Sequence, residues 1–146
     1  MHPGGNLLYV ATREGGSVLE VDARTLAVKR TFTLGGRTNG MALAPDRETL
    51  YIANDYLSLV HVITLSTGAV GSIALSGGPF AVGLGPDGTR LYASLTFDGK
   101  VQVVDRASRR VLQTITTGGA PRLMVADAAR GLVVVANEAG WVDLLR

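Results

Sequence analysis

Short apolar runs bounded by Gly, Asp and Pro, a spacing of 41 or 42 residues between equivalent runs, and four runs within each spacing predict an all-β fold of repeated antiparallel meanders. A period near 41 with four strands per unit is the sequence signature of a propeller blade. The 146 residues are therefore expected to form one repeat domain, a partial β-propeller of about three and a half four-stranded blades, half of a seven-bladed ring. Its units run at about 1–36, 37–78, 79–119 and 120–146.

The unit is clearest from Pro79 to Gly119. Its apolar runs, Phe80–Leu84, Leu91–Leu95, Val101–Val104 and Val111–Ile115, are separated by Pro86-Asp87-Gly88, Asp98-Gly99 and the polar stretch Asp105–Arg110. Runs this short, rich in Val, Ile, Thr and Tyr, are strands joined as hairpins. With strands named a to d in this order, the chain opens with b, c and d over Leu7–Ala11, Ser17–Val21 and Val28–Thr33. A full unit from Gly40 to Leu75 follows, then the unit just described, then a, b and c over Arg122–Val125, Leu132–Ala136 and Trp141–Leu145. Leu8-Tyr9, Leu50-Tyr51, Leu91-Tyr92 and Val133-Val134 mark strand b in each unit, and Gly35-Gly36, Gly77-Gly78 and Gly118-Gly119 follow strand d. Each blade has neighbours on both sides, so both faces are apolar and strict alternation is blurred.

His2-Pro3-Gly4-Gly5 resembles the turn Gly85-Pro86-Asp87-Gly88, which implies that the first unit lacks strand a and the last lacks strand d. An open stack of this kind exposes two blade faces. At about 800 Å² a side and ~25 cal/mol per Å², each represents roughly 20 kcal/mol of gross burial. The expected partner is therefore a second propeller half, either more of a longer polypeptide or another chain. Glu20 stands where the other units have Val62, Val103 and Leu144. Two readings are open: a solvated face in a terminal blade, or a register shift that puts Leu19 in the apolar slot.

Composition narrows the chemistry. The chain has no Cys, which excludes a disulfide scaffold and a thiolate metal site. Its net charge is +2, and the one basic cluster, Arg106, Arg109 and Arg110, lies in an outer turn, so no nucleic-acid partner is expected. No stretch approaches the ~18 apolar residues of a membrane span. Gly83-Leu84-Gly85-Pro86-Asp87-Gly88 matches the spacing of a dinucleotide fingerprint, but Arg90-Leu91-Tyr92-Ala93 continues as a strand, and no helix N-terminus follows to meet a pyrophosphate. It reads as a hairpin turn, with Asp87, like Asp46, as the turn former. Two histidines, His2 and His61, are too few for a three-imidazole metal site; His61 reads as a half-exposed strand residue and Trp141 as a cover for an outer strand. No cofactor or metal site is expected.

Tyr9-Val10-Ala11-Thr12, Tyr51-Ile52-Ala53-Asn54 and Val134-Val135-Ala136-Asn137 resemble the signature of YVTN-type β-propeller repeats. Lys100–Asp105 resembles that family's V-x-V-I-D strand, and Gly118-Gly119-Ala120-Pro121 its G-x-x-P turn. Thr12 and Leu95 depart from the Asn of the fourth position. The resemblance covers residues 3 to 146 and implies a bacterial or archaeal protein, extracytoplasmic if the chain belongs to an exported parent. MHPGGNLLYVA itself lacks the basic and long apolar segments of a signal peptide.

In a propeller the d-to-a and b-to-c loops emerge on one face around the central channel. Those loops carry Arg37, Asn39, Phe80 and Arg122, and Arg13, Glu14, Asp55, Tyr56, Phe97, Asp98 and Glu138. Mixed charges with Tyr and Phe suit recognition of a protein or a small anionic ligand. The expected function is a non-catalytic interaction module. The alternative is a fragment or subunit of a propeller enzyme, since the repeats are similar to lactonase-type and dehydrogenase-type propellers that use channel-lining acids, Arg or His.

Overall fold

The computed structural model describes residues 5–146; of the expected first turn, His2, Pro3 and Gly4 lie outside the described residues. Among the described residues fourteen strands form four antiparallel sheets. Blade 1 holds β1 (Leu7–Thr12), β2 (Ser17–Asp22) and β3 (Val28–Thr33). Blade 2 holds β4 (Thr38–Leu43), β5 (Thr49–Asn54), β6 (Leu59–Thr64) and β7 (Ala69–Ala74). Blade 3 holds β8 (Ala81–Leu84), β9 (Arg90–Leu95), β10 (Lys100–Asp105) and β11 (Val111–Thr116). Blade 4 holds β12 (Pro121–Asp127), β13 (Leu132–Asn137) and β14 (Trp141–Leu145). Each sheet is a meander, and the whole is the partial β-propeller that the repeat predicts. Among the described residues the one helical segment is a 3₁₀ turn, Thr96–Asp98, and no helix is long and apolar enough to cross a membrane.

The core lies between blades because a single meander is too thin to shield either of its faces. Val18 and Phe32 of blade 1 pack with Leu50, Ile52 and Ile63 of blade 2. Tyr51, Val60 and Val62 look the other way, onto Leu91, Ala93 and Val104 of blade 3. Tyr92, Val101 and Val103 meet Val133, Val135 and Leu145 of blade 4. The period-2 alternation of a strand thus sorts each blade into a backward face, toward the preceding blade, and a forward face. Near the axis the wedges crowd. Gly40 donates its N–H to the Phe80 carbonyl at 2.9 Å, and a Cβ there would sit 2.8 Å from Ala81 Cα.

At the hairpins between strands a and b, Asp46 Oδ1 accepts from the N–H groups of Glu48 and Thr49 at 2.8 and 2.9 Å, and Asp87 Oδ1 from Thr89 N–H at 3.0 Å. These are turn carboxylates. Arg106 is an interblade clasp, donating from Nε to the Tyr51 hydroxyl at 3.0 Å and from Nη2 to Asp46 Oδ2 at 3.1 Å, with the Tyr51 ring 5.6 Å below its guanidinium.

Two sequence expectations are corrected. Glu20 is neither solvated nor shifted in register: it pairs with Tyr9 on β1, in its repeat slot, and points forward into the blade 1–blade 2 interface. There Arg30 grips its carboxylate in a two-point contact, Nε to Oε1 at 3.0 Å and Nη2 to Oε2 at 2.6 Å, and the Tyr9 hydroxyl donates at 3.3 Å. The Arg30 hydrogen bonds hold the carboxyl below its ordinary value, while burial, and then Glu20 itself, pushes the Tyr9 hydroxyl up to about 12. His61 is not half-exposed. It is 7% exposed, on the backward face of blade 2, because the slot lies beneath the loop of the preceding blade.

Candidate functional site

The channel-face loops are held by side-chain hooks that reach from one blade to the loop before it. Asn54, fully buried at the end of β5, accepts at Oδ1 from Leu57 N–H at 3.1 Å and Arg37 N–H at 3.3 Å. Its Nδ2 donates to the Gly35 carbonyl at 2.8 Å and lies 3.1 Å from His61 Nε2. The Gly35 carbonyl fixes the amide orientation, so Nε2 of His61 is an acceptor and the imidazole is neutral. Burial pushes the imidazole the same way, below its ordinary value. Gly36, at φ 60°, passes so close that a Cβ would lie 2.6 Å from Asn54 Oδ1. Asn137 repeats the device: Oδ1 accepts from Ala120 and Ala139 N–H at 2.8 and 3.2 Å, and Nδ2 donates to the Gly118 carbonyl at 3.0 Å and Asp143 Oδ2 at 3.1 Å. In blade 3, where Leu95 replaces the Asn, Gln102 takes over; its Oε1 accepts from Ser76 N–H at 3.1 Å.

On these supports the predicted residues fall into two groups. In the first, Asp55 receives Arg37 Nε at 3.1 Å and Arg13 Nη2 at 3.4 Å, and its carboxylate is only 1% exposed. Glu14 stands 3.5 Å from Arg13 Nε. Glu14, Gly36, Arg37 and Tyr56 line an open depression of about 360 Å³. In the second, Arg122 meets Glu138 at 2.8 Å and 3.2 Å and lies 4.1 Å over the Phe80 ring. Arg13, Phe80, Arg122 and Glu138, with Leu123 and Ala136, line a larger depression of about 460 Å³. Arg13 belongs to blade 1 and Arg122 to blade 4, so this hollow crosses the channel mouth.

Three predicted residues stand outside both groups. Phe97 and Asp98 form the 3₁₀ turn between β9 and β10, with Asp98 packed against Gly77, where a Cβ would strike its carboxylate. Asn39 is half-buried in the bulge of β4, and its Nδ2 has no hydrogen-bond partner among the described residues. Tyr56 and Phe97 are the protruding tips, 70% and 79% exposed. Trp141 lies near Gly118 of blade 3 on this same side, where a Cβ would meet its ring at 3.9 Å. Among the described residues no group of three or more His, Asp or Glu side chains is arranged to hold a metal ion.

The hooks themselves escaped sequence reasoning. Their signal is two slots read together, Thr12, Asn54, Leu95 and Asn137 at the end of strand b and Leu19, His61, Gln102 and Asp143 in strand c, the second polar in three blades of four within an otherwise apolar strand. No protein-family profile and no curated protein matches this chain. Among solved structures, the chain is similar to a chain of hydrazine synthase from Kuenenia stuttgartiensis, with 24% identity, a TM-score of 0.89, and coverage of 99% of this chain and 44% of that one. It is also similar to the WD40 β-propeller domain of Doa1, at 15% identity and a TM-score of 0.83, covering 97% of this chain and 47% of that one. The chain thus spans just under half the length of each of these two structures, and at these identities the likeness establishes the fold: a β-propeller.

Proposed function

We propose that the chain is a non-catalytic interaction module of the YVTN repeat type that holds a protein partner or a small ligand through its channel-face loops. The contact residues are Arg37, Asn39, Asp55, Tyr56, Phe80, Phe97, Asp98, Arg122 and Glu138. The observation that carries this reading is the exposure of Tyr56 and Phe97 at loop tips whose neighbours are tied down, Asp55 by Arg37 and the Leu57 N–H by Asn54 beside Tyr56, and the Thr96 hydroxyl by the Pro121 carbonyl beside Phe97. An aromatic on a rigid base offers a large contact area and loses little conformational freedom when it is covered. The paired guanidiniums and carboxylates around it supply both signs of charge, which selects partners by electrostatic fit. A screen of short peptides and small acids by amide chemical shifts tests this: shifts should cluster at residues 13–16, 36–39, 55–58, 97–99 and 138–140 and vanish in Tyr56→Ser with Phe97→Ser. Binders that map elsewhere, or survive the double substitution, overturn it.

A second reading, a piece of a lactonase-like or dehydrogenase-like propeller enzyme, is favoured by the acids Asp55, Asp98 and Glu138 in the channel-face loops. Asp55 is committed to two guanidiniums and Glu138 to one, which leaves Asp98 as the one of these three without an ion pair among the described residues. Lactone hydrolysis that disappears in Asp98→Asn, assayed with and without divalent metal, would establish the enzyme in place of the binding module.

A further inference from the structure

The two open faces of the stack differ in kind. Blade 4 presents a forward face: Leu123, Val125, Val142 and Leu144 are 59–65% exposed and surround an open apolar hollow with Val134 and Ala136. Blade 1 presents a backward face, with Val10, Leu19 and Val28 on it; Val10 is 43% exposed. Every interface inside the chain seats a forward face on a backward one. The chain therefore ends its described arc with one of each, complementary by the same pattern that holds blades 1 to 4 together.

The backward face of blade 1 also lacks what its counterparts have. Blades 2, 3 and 4 carry polar hooks, Asn54, Gln102 and Asn137, that grip the loop after strand d of the preceding blade. Blade 1 has Thr12 and Leu19 in the corresponding places, and the Thr12 hydroxyl donates to the carbonyl of its own Ser17 at 3.2 Å. Leu19 leaves the strand c slot of blade 1 apolar, matched to the apolar hollow of Leu123, Val125, Val134, Ala136 and Val142 on the forward face of blade 4.

We infer that a second copy of this chain covers both faces, with the forward face of blade 4 in each copy seated on the backward face of blade 1 in the other. A head-to-tail contact closes into a ring when its rotations sum to a full turn, and otherwise runs on as a filament. The described arc is just under half of a propeller domain, so closure falls at two copies. The ring has eight sheets, at the upper end of the usual range of about four to eight blades. Each of its two junctions is of the order of 800 Å² a side, the size of a standard stable interface.

The inference concerns the stack's open faces and does not depend on the channel-face reading. Light scattering on the 146-residue chain should give twice the 15.2 kDa of one copy at micromolar concentration, and the thermal midpoint should rise with concentration. Leu144→Lys and Val10→Lys, both at exposed positions, should each weaken dimerisation by about 30-fold or more while strand content by circular dichroism is kept. Mixing the two variants should restore dimers, because a mixed pair can form one intact junction. Tyr56→Ser, on the channel face, should dimerise like the unsubstituted chain. A monomer with a concentration-independent midpoint, as expected if further blades of one polypeptide cover these faces, would overturn the inference. So would an open-ended series of larger species, or a dimer that Val10→Lys leaves intact.

Discussion

Replacing Asn54 by Ala removes a side chain that serves four partners at once. The Gly35 carbonyl and His61 Nε2 lose a donor, and the N–H groups of Arg37 and Leu57 lose an acceptor. Leu57 is partly exposed, so its N–H can turn to water, whereas the Asn54 site itself is fully buried. A buried polar group left without a partner costs about 1–3 kcal/mol. Two such groups, offset by some hydration of the others, give a loss of about 3 kcal/mol. In a chain of this length that corresponds to a fall in melting temperature of roughly 6–12 °C. Urea unfolding followed by circular dichroism measures it, and the slope of the transition should be unchanged because the surface exposed on unfolding hardly alters. Asn137→Ala, at the edge of the stack, should cost less. Thr12→Ala, which severs a bond only within its own blade, should cost less than about 1 kcal/mol. An Asn54→Ala chain within about 0.5 kcal/mol of the original would refute the view that these amides bind blade to blade.

Three further outcomes follow from the same interfaces. His61 stays neutral in the fold, below the 6.5 of a free imidazole, so as pH falls through that value the unfolded chain takes up a proton that the folded chain refuses. Stability should drop from about pH 6.5 downward and level off below the folded value, and in His61→Gln, the side chain blade 3 uses in this slot, that part of the slope should be missing from urea titrations at pH 7 and 5.5. Glu20 works in the acid range: its carboxyl is held low, so its contribution is present above the ordinary 4.5 and is lost as pH falls through the folded value. Arg30→Ala, which strands that carboxylate at the interface, should cost about 2–4 kcal/mol. Glu20→Val with Arg30→Gln, the Val103 and Gln113 pairing of blade 3, should come out near neutral by thermal melting. Gly40→Ala should destabilise by about 1–3 kcal/mol, since its methyl group would have to push β4 away from Ala81; an unchanged melting temperature would show that the inner strands are not in close contact.

The fourteen strands and their grouping into four units were legible in the letters alone. The information is local: runs of Val, Ile and Tyr cut by Pro86-Asp87-Gly88 or Gly35-Gly36 leave the backbone few alternatives, and the 41-residue spacing repeats the instruction. The channel-face residues were likewise recognisable by belonging to loops, though only the structure pairs Arg13 with Asp55 across blades, or lays Arg122 of blade 4 on Phe80 of blade 3. Glu20 and His61 show where such reading stops. An acid or an imidazole inside an apolar strand has a different meaning depending on which side chain stands beside it in the sheet, and that neighbour is 10 residues on, on the following strand, for Glu20 and Arg30 but 7 residues back, on the preceding strand, for His61 and Asn54. Composition and spacing thus determined that pleated meanders would stack. Which polar groups could enter the stack and remain satisfied was decided only when the blades came together, because a buried hydrogen bond depends on the partner's position to within a few tenths of an ångström.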